Sequence, residues 1–156
     1  MTEKSKINKY TKQLISFLAD KSYNGQNTII VPLQKKRKEF DSFVIHPIYK
    51  NSKIVAINVE RRVMPVDTVF PIEIFNLVLN SLSKAENYTL PNGKAQGNRM
   101  GDEGLSSSTI EYIVAKVIYK KNDGDTIDRR ISVISNILIA ANLCESKPKA
   151  LKLIEK

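Results

Sequence analysis

The stretch STIEYIVAKVIYKKNDGDTIDRRISVISNILIAANLCESKPKALKLI, residues 108–154, carries the clearest periodicity in the chain. Ser108 followed by Glu111 forms a capping box, after which Ile110, Ile113, Val114, Val117 and Ile118 line one helix face. Asn122-Asp123-Gly124 is a strong turn signal. A second helix is expected from about Ile127 to Asn142, with Ile127, Ile131, Ile134, Leu138 and Ala141 facing inward. Asp125 or Thr126 can cap it, and Asp128 suits its positive end. Cys144 to Lys149 and the apolar Ala150 to Ile154 follow. The order is helix, turn, helix and a minimal two-strand ribbon.

Upstream, residues 86–107 hold four of the six glycines and read as a long polar loop. It divides a front lobe, 1–85, from a back lobe, 108–156. Within it, Gly93-Lys94-Ala95-Gln96-Gly97-Asn98-Arg99-Met100-Gly101 mixes permissive backbone with two cations. Such a segment suits an anion, with Arg99 holding a phosphate bidentately, or simply connects two elements. Neither a phosphate-loop ending nor a dinucleotide-binding glycine fingerprint is present. A helix should start near Pro71 and bury Ile74, Phe75, Val78, Leu79 and Leu82. Strands are expected over Thr28 to Leu33, Phe40 to Tyr49 and Lys53 to Val63, the last two joined at Asn51-Ser52. The N-terminal helix places Ile7, Tyr10, Leu14, Phe17 and Leu18 on one stripe, capped by Ser5 or Asn8 and ended by Asn24-Gly25.

Charge narrows the partner. The 156 residues carry 25 Lys/Arg against 16 Asp/Glu, a net charge of +9. Residues 1–70 hold 13 basic and 6 acidic side chains; residues 71–156 hold 12 and 10. This excess favours a polyanion such as nucleic acid through attraction and counterion release. Lys35-Lys36-Arg37-Lys38 is the densest basic cluster, in a loop that either contacts phosphate or is solvated. Lys9, Lys12 and Lys21 lie off the helix stripe with the same two readings. A single cysteine precludes an intrachain disulfide framework, and 42% hydrophobic residues suffice for a core. Ile131 to Leu143 is too short and polar to span a bilayer, so no membrane partner and a cytoplasmic location are expected.

The start Thr126-Ile127-Asp128-Arg129-Arg130-Ile131-Ser132, the Ile134 and Leu138 stripe, and the exit Ala141-Asn142-Leu143-Cys144 together resemble the second half of a winged helix-turn-helix domain. The match covers residues 106–156. The resemblance implies a double-stranded DNA partner, for regulation or restriction-type recognition, with a homodimer adding specificity. Carried over by position, Arg129, Arg130, Ser132, Ser135 and Asn136 would face DNA, with Lys147 and Lys149 in the wing. Two features depart from the pattern. Asp123 and Asp125 in the turn repel phosphate unless aimed away, and the ribbon is short enough to be a hairpin that merely closes a core. Under the plainer reading, Arg129 or Arg130 pairs with Glu111 or Asp128.

Catalytic signals are sparse. His46, the only histidine, sits among apolar strand residues and reads as structural; Cys144 reads as a small buried side chain. Metal sites built from Cys and His fail on count. Glu39, Asp41 and Glu60 are the acids a metal-dependent nuclease would use, but Glu60 precedes Arg61-Arg62, whereas the usual nuclease spacing is acid, any residue, lysine. No motif calls for a cofactor. The expected class is α+β: a small antiparallel sheet with packed helices and a winged-helix-like C-terminal lobe. DNA binding is the leading function, beside a protein-interaction scaffold and an atypical nuclease.

Overall fold

The computed structural model describes residues 7–21, 28–33, 42–60 and 69–154. Lys35, Lys36, Arg37 and Lys38, with Glu39, Asp41, Arg61 and Arg62, lie outside them. The fold is α+β and forms two compact units, Met1–Asn76 and Leu77–Lys156. Their division falls inside a helix, not in the 86–107 segment.

In the first unit, α1 (Lys9–Lys21) forms where the sequence stripe begins. Asn8 caps it: its Oδ1 accepts from the Thr11 amide at 2.8 Å. Thr11, absent from the apolar stripe, is nevertheless fully buried. Its hydroxyl donates to Asn76 Oδ1 at 2.7 Å, and the Asn8 amide donates to the same oxygen at 3.0 Å. Tyr10, Leu14 and Leu18 are buried as expected, while Ile7 stays exposed and Phe17 half-buried. Lys9, Lys12 and Lys21 are exposed.

A four-stranded antiparallel sheet follows, one strand more than the periodicity predicts. It runs β1 (Ile29–Pro32), β2 (Ser42–Lys50), β3 (Lys53–Val59) and β4 (Val69–Pro71), in that spatial order. Asn51 and Ser52 do form the hairpin turn, both at positive φ (53° and 67°), which tight hairpins require. The pleat sends Ile29, Ile45 and Val59 to one buried row and Pro47, Ile57 and Phe70 to the next. β4 is only three residues long and lacks the alternation that marks a strand. Pro71 ends it, so α2 (Ile72–Ser83) starts one residue later than its proline suggests. Ile74, Phe75, Val78, Leu79 and Leu82 are all buried, as their spacing requires.

The second unit corrects the expectation of a featureless 86–107 loop. The segment contains 3-10 turns at Glu86–Tyr88 and Glu103–Leu105, and β5 (Thr89–Pro91) between them. Its apolar residues explain why it is ordered. Met100 and Leu105 pack with Ala115 in one buried cluster, flanked by Tyr112 and Ile127. α3 (Ile110–Val117) is capped by Thr109, not Ser108: the Thr109 hydroxyl accepts from the Tyr112 amide at 3.3 Å. α4 (Ile131–Ala140) begins four residues later than expected, so Asp125 and Thr126 do not cap it. Asn142, at φ 61°, ends it, with the Leu143 amide donating back to Leu138 O at 3.0 Å. A hairpin of β6 (Cys144–Lys147) and β7 (Ala150–Leu153) follows, and β5 pairs with the free side of β7, giving the order β5-β7-β6. No helix among the described residues is long and apolar enough to cross a membrane.

Candidate nucleic-acid interface

The start of α4 is the point at which sequence and structure differ most. A helix start leaves backbone N–H groups without intrahelical partners. Here Glu111 of α3 supplies the acceptor: its carboxylate takes the Arg130 amide at 2.9 and 3.2 Å and the Ile131 amide at 2.9 Å. Glu111 is only 2% exposed. Burial pushes its carboxyl above the usual carboxylate range, opposed by the Ile131 and Arg130 amides and then by the Arg130 and Arg129 charges. The motif that suggested a local capping box thus caps a different helix. An anion already occupies the α4 N-terminus, so a DNA phosphate cannot take that place.

Two residues assigned to DNA turn inward. Arg130 is only 8% exposed, with its guanidinium 3.8 Å over the Tyr119 ring and 3.8 Å from Asp128 Oδ2. Stacking on the ring lets a planar cation leave bulk water at low cost. Of the plainer expectation, pairing of Arg129 or Arg130 with Glu111 or Asp128, the Arg130 guanidinium meets Asp128, while Glu111 meets Arg130 through the backbone amide. Asn136 is 6% exposed, and its Nδ2 donates to Ser132 O one turn back at 2.7 Å. It sits on the buried side because Ile131, Val133, Ile134, Ile137 and Leu138 are also buried, leaving α4 apolar over most of its circumference. Ser132, Ser135 and Ile139 remain half-buried, and Ser135 donates to Ser132 O at 3.3 Å. Arg129, just before the helix, is exposed.

Lys147 and Lys149 are exposed on the β6–β7 hairpin, with Lys147 Nζ 3.6 Å from Glu145 Oε2. Lys149 occupies its turn at φ 56°, a left-handed conformation that glycine or asparagine adopts more cheaply. Lys120, after α3, is also exposed at φ 58°.

Arg99 is exposed, but one guanidinium N–H already donates to Gly124 O at 3.1 Å. The backbone around it is similarly engaged. Met100 donates to Asp125 O and Gly124 to Met100 O, both at 2.9 Å. The segment read as an anion cradle is thus stitched to the 122–125 turn. Asp123 and Asp125 are held within that turn, accepting from Tyr112 Oη at 2.6 Å and the Asn122 amide at 2.7 Å.

Of the enzyme candidates, Glu60 lies 2.7 Å from His46 Nε2. No three His, Cys, Asp or Glu side chains gather into a metal-binding group among the described residues. Cys144 is buried and its thiol is pushed up to about 12 by desolvation. It should therefore resist disulfide-exchange reagents in the native state and react fully once unfolded. Rapid modification of folded protein at neutral pH would contradict that environment.

No family model matches this chain, and neither a curated protein nor a solved structure shows significant similarity to it.

Proposed function

We propose that the C-terminal unit binds double-stranded DNA, chiefly by phosphate contacts and with little base discrimination. The observation that carries this reading is Lys149, a solvent-exposed cation at the hairpin tip held at a φ of 56°. A left-handed lysine costs about 1 kcal/mol or more relative to glycine. The tight Pro148-Lys149 turn itself takes a positive φ at its second position, and a lysine there, where glycine would fit more cheaply, places an exposed cation at the hairpin tip. Connectivity supports the reading: α2, β5, α3, α4 and the β6–β7 hairpin, with β5 paired to β7, follow the order of a winged helix-turn-helix domain. In such a domain, Arg129 and Lys147 flank the same DNA-facing side as Lys149. Base readout falls to Ser132 and Ser135 alone, since Arg130 and Asn136 turn inward.

The test is fluorescence anisotropy on duplex, single-stranded DNA and RNA from about 50 to 200 mM salt. Steep salt dependence on duplex is expected. Lys149→Gly should leave the protein equally stable or about 1 kcal/mol more stable, yet lower the salt slope by about 1. Arg129→Ala and Lys147→Ala should weaken all duplexes alike. If Lys149→Gly binds as the parent does, Lys149 is no phosphate contact.

A second reading rests on α4 itself. Its half-buried side, the short Ser132 and Ser135 beside Ile139, is uncharged, which suits packing of another protein's helix. Absence of duplex binding at about 50 mM salt would favour this scaffold role.

A further inference from the structure

The outer face of the four-stranded sheet gathers three groups that sequence spacing does not connect. Thr28 lies one residue before β1, His46 is in β2, and Glu60 follows β3. The ladder sets Ile29 opposite Ile45, so Thr28 falls opposite His46. His46 faces Asn58 on the other side, and the Glu60 amide donates to Val44 O at 2.9 Å, extending the same register. His46 Nε2 stands 2.7 Å from Glu60 Oε2, and Nδ1 stands 3.5 Å from Thr28 Oγ1. A neutral imidazole donating from Nε2 to the carboxylate presents the Nδ1 lone pair to the hydroxyl. The order is hydroxyl, base and orienting carboxylate, the arrangement that activates an alcohol nucleophile. The Thr28 separation is longer than a working hydrogen bond, as is common before substrate is bound. Ile30, 68% exposed and two residues from Thr28 on the same face of the sheet, offers apolar contact to a small acyl chain.

The geometry points to an acyl-accepting site at Thr28, with His46 as its base and Glu60 as the positioning residue, taking activated esters of small carboxylic acids. Thr28 Oγ attacks the carbonyl carbon as its proton passes to His46 Nδ1. The bond to the leaving oxygen then breaks, and that oxygen departs with the proton from His46. Thr28 is left as an ester, which water hydrolyses by the same route. The side chains are open to solvent, Glu60 at 59% and His46 at 27%, so developing charge is shared with water. One equivalent of acylation, not rapid turnover, is the expected signature.

The full chain is treated with p-nitrophenyl acetate and followed by phenolate release, intact mass and peptide mapping. One acetyl group on Thr28, removable by hydroxylamine, is expected. Thr28→Ser should acylate at least as fast, and Thr28→Val should give no adduct at position 28. His46→Gln should slow acylation about 100-fold. Glu60→Gln should slow it less and displace its pH–rate profile, an effect that mere loss of fold would not produce. Melting curves of each variant separate chemistry from unfolding. Acetylation of lysines alone in the parent protein, or an unchanged Thr28 rate in His46→Gln, overturns the proposal.

Discussion

Glu111→Ala is expected to lower the unfolding free energy by about 2–4 kcal/mol, because it strands two buried backbone donors at once. The Arg130 and Ile131 amides have the Glu111 carboxylate as their acceptor, at 2.9 Å each in its closest contacts. Glu111→Gln keeps an acceptor oxygen at the same place and removes the cost of burying a charge, so a loss of only about 1 kcal/mol is expected. The pair of variants separates hydrogen bonding from charge. Urea unfolding followed by circular dichroism measures both, and an alanine variant within about 0.5 kcal/mol of the parent would show that water or rearrangement satisfies the amides.

The same residue has a pH signature of unusual sign. The folded-state pKa of Glu111 is raised above its unfolded value of 4.5, mainly by burial. The folded protein therefore holds this proton more tightly than the unfolded chain does. The stability linked to it is fully present below pH 4.5 and is lost as pH rises through the folded pKa. The parent should gain on Glu111→Gln as pH falls through that window, against the usual acid destabilisation by paired carboxylates. A difference that runs the other way would mean the two amides and the neighbouring arginines outweigh burial.

Gly93→Ala is the second large effect, about 2–4 kcal/mol destabilising. Gly93 sits at φ +90°, and an added Cβ would stand 2.8 Å from both Thr109 Cβ and Oγ1, and 3.3 Å from Glu111 Cβ. The left-handed backbone accounts for about 1–2 kcal/mol and the overpacking for about 1–3 kcal/mol. Thr109 cannot simply step aside, because its hydroxyl caps α3 and also donates to Ser106 O at 2.8 Å. Gly97 is the internal control: it has φ +82° and nothing within 4 Å of an added Cβ. Gly97→Ala should cost only the backbone share, about 1 kcal/mol. Equal losses at both positions would show that φ alone matters and that the contact with Thr109 relaxes freely. Combined with Glu111→Ala, Gly93→Ala should be non-additive, since the Cβ added at position 93 stands 3.3 Å from Glu111 Cβ and the two sites touch.

These two residues also show what the glycine-rich stretch does. Read along the chain, Gly93 and Arg99 suggest an anion cradle. In the fold, Gly93 lets the chain pass close to the α3 cap, and Arg99 spends a donor on Gly124 O. The composition signal was real, but it reported close backbone packing. Met100 and Leu105 were visible as apolar residues in that stretch; without a period to join them, their shared cluster with Ala115 was not.

Sequence alone determined the parts whose physics is local. The α2 stripe, Tyr10, Leu14 and Leu18 of α1, Ile110 and Val114 of α3, the Asn51-Ser52 hairpin and the Asn142 helix end follow from spacings of a few residues, whereas Val117 of the expected α3 stripe is 45% exposed. Helix and strand periods repeat over that range, and turn residues act through their own φ. Tertiary structure decided the rest. Arg129 and Arg130 are neighbours in sequence, yet one is exposed and the other stacks on Tyr119. Asn136 turns into the core because α4 is apolar nearly all round, a pattern that specifies burial without saying which polar side chain goes with it. Glu111 caps a helix 20 residues away, and Thr28, His46 and Glu60 meet across separations of 18 and 14 residues. A side chain's partner over such distances is set by how elements pack, because hydrogen-bond and ionic energies depend on ångström-scale proximity that no sequence spacing of that length encodes.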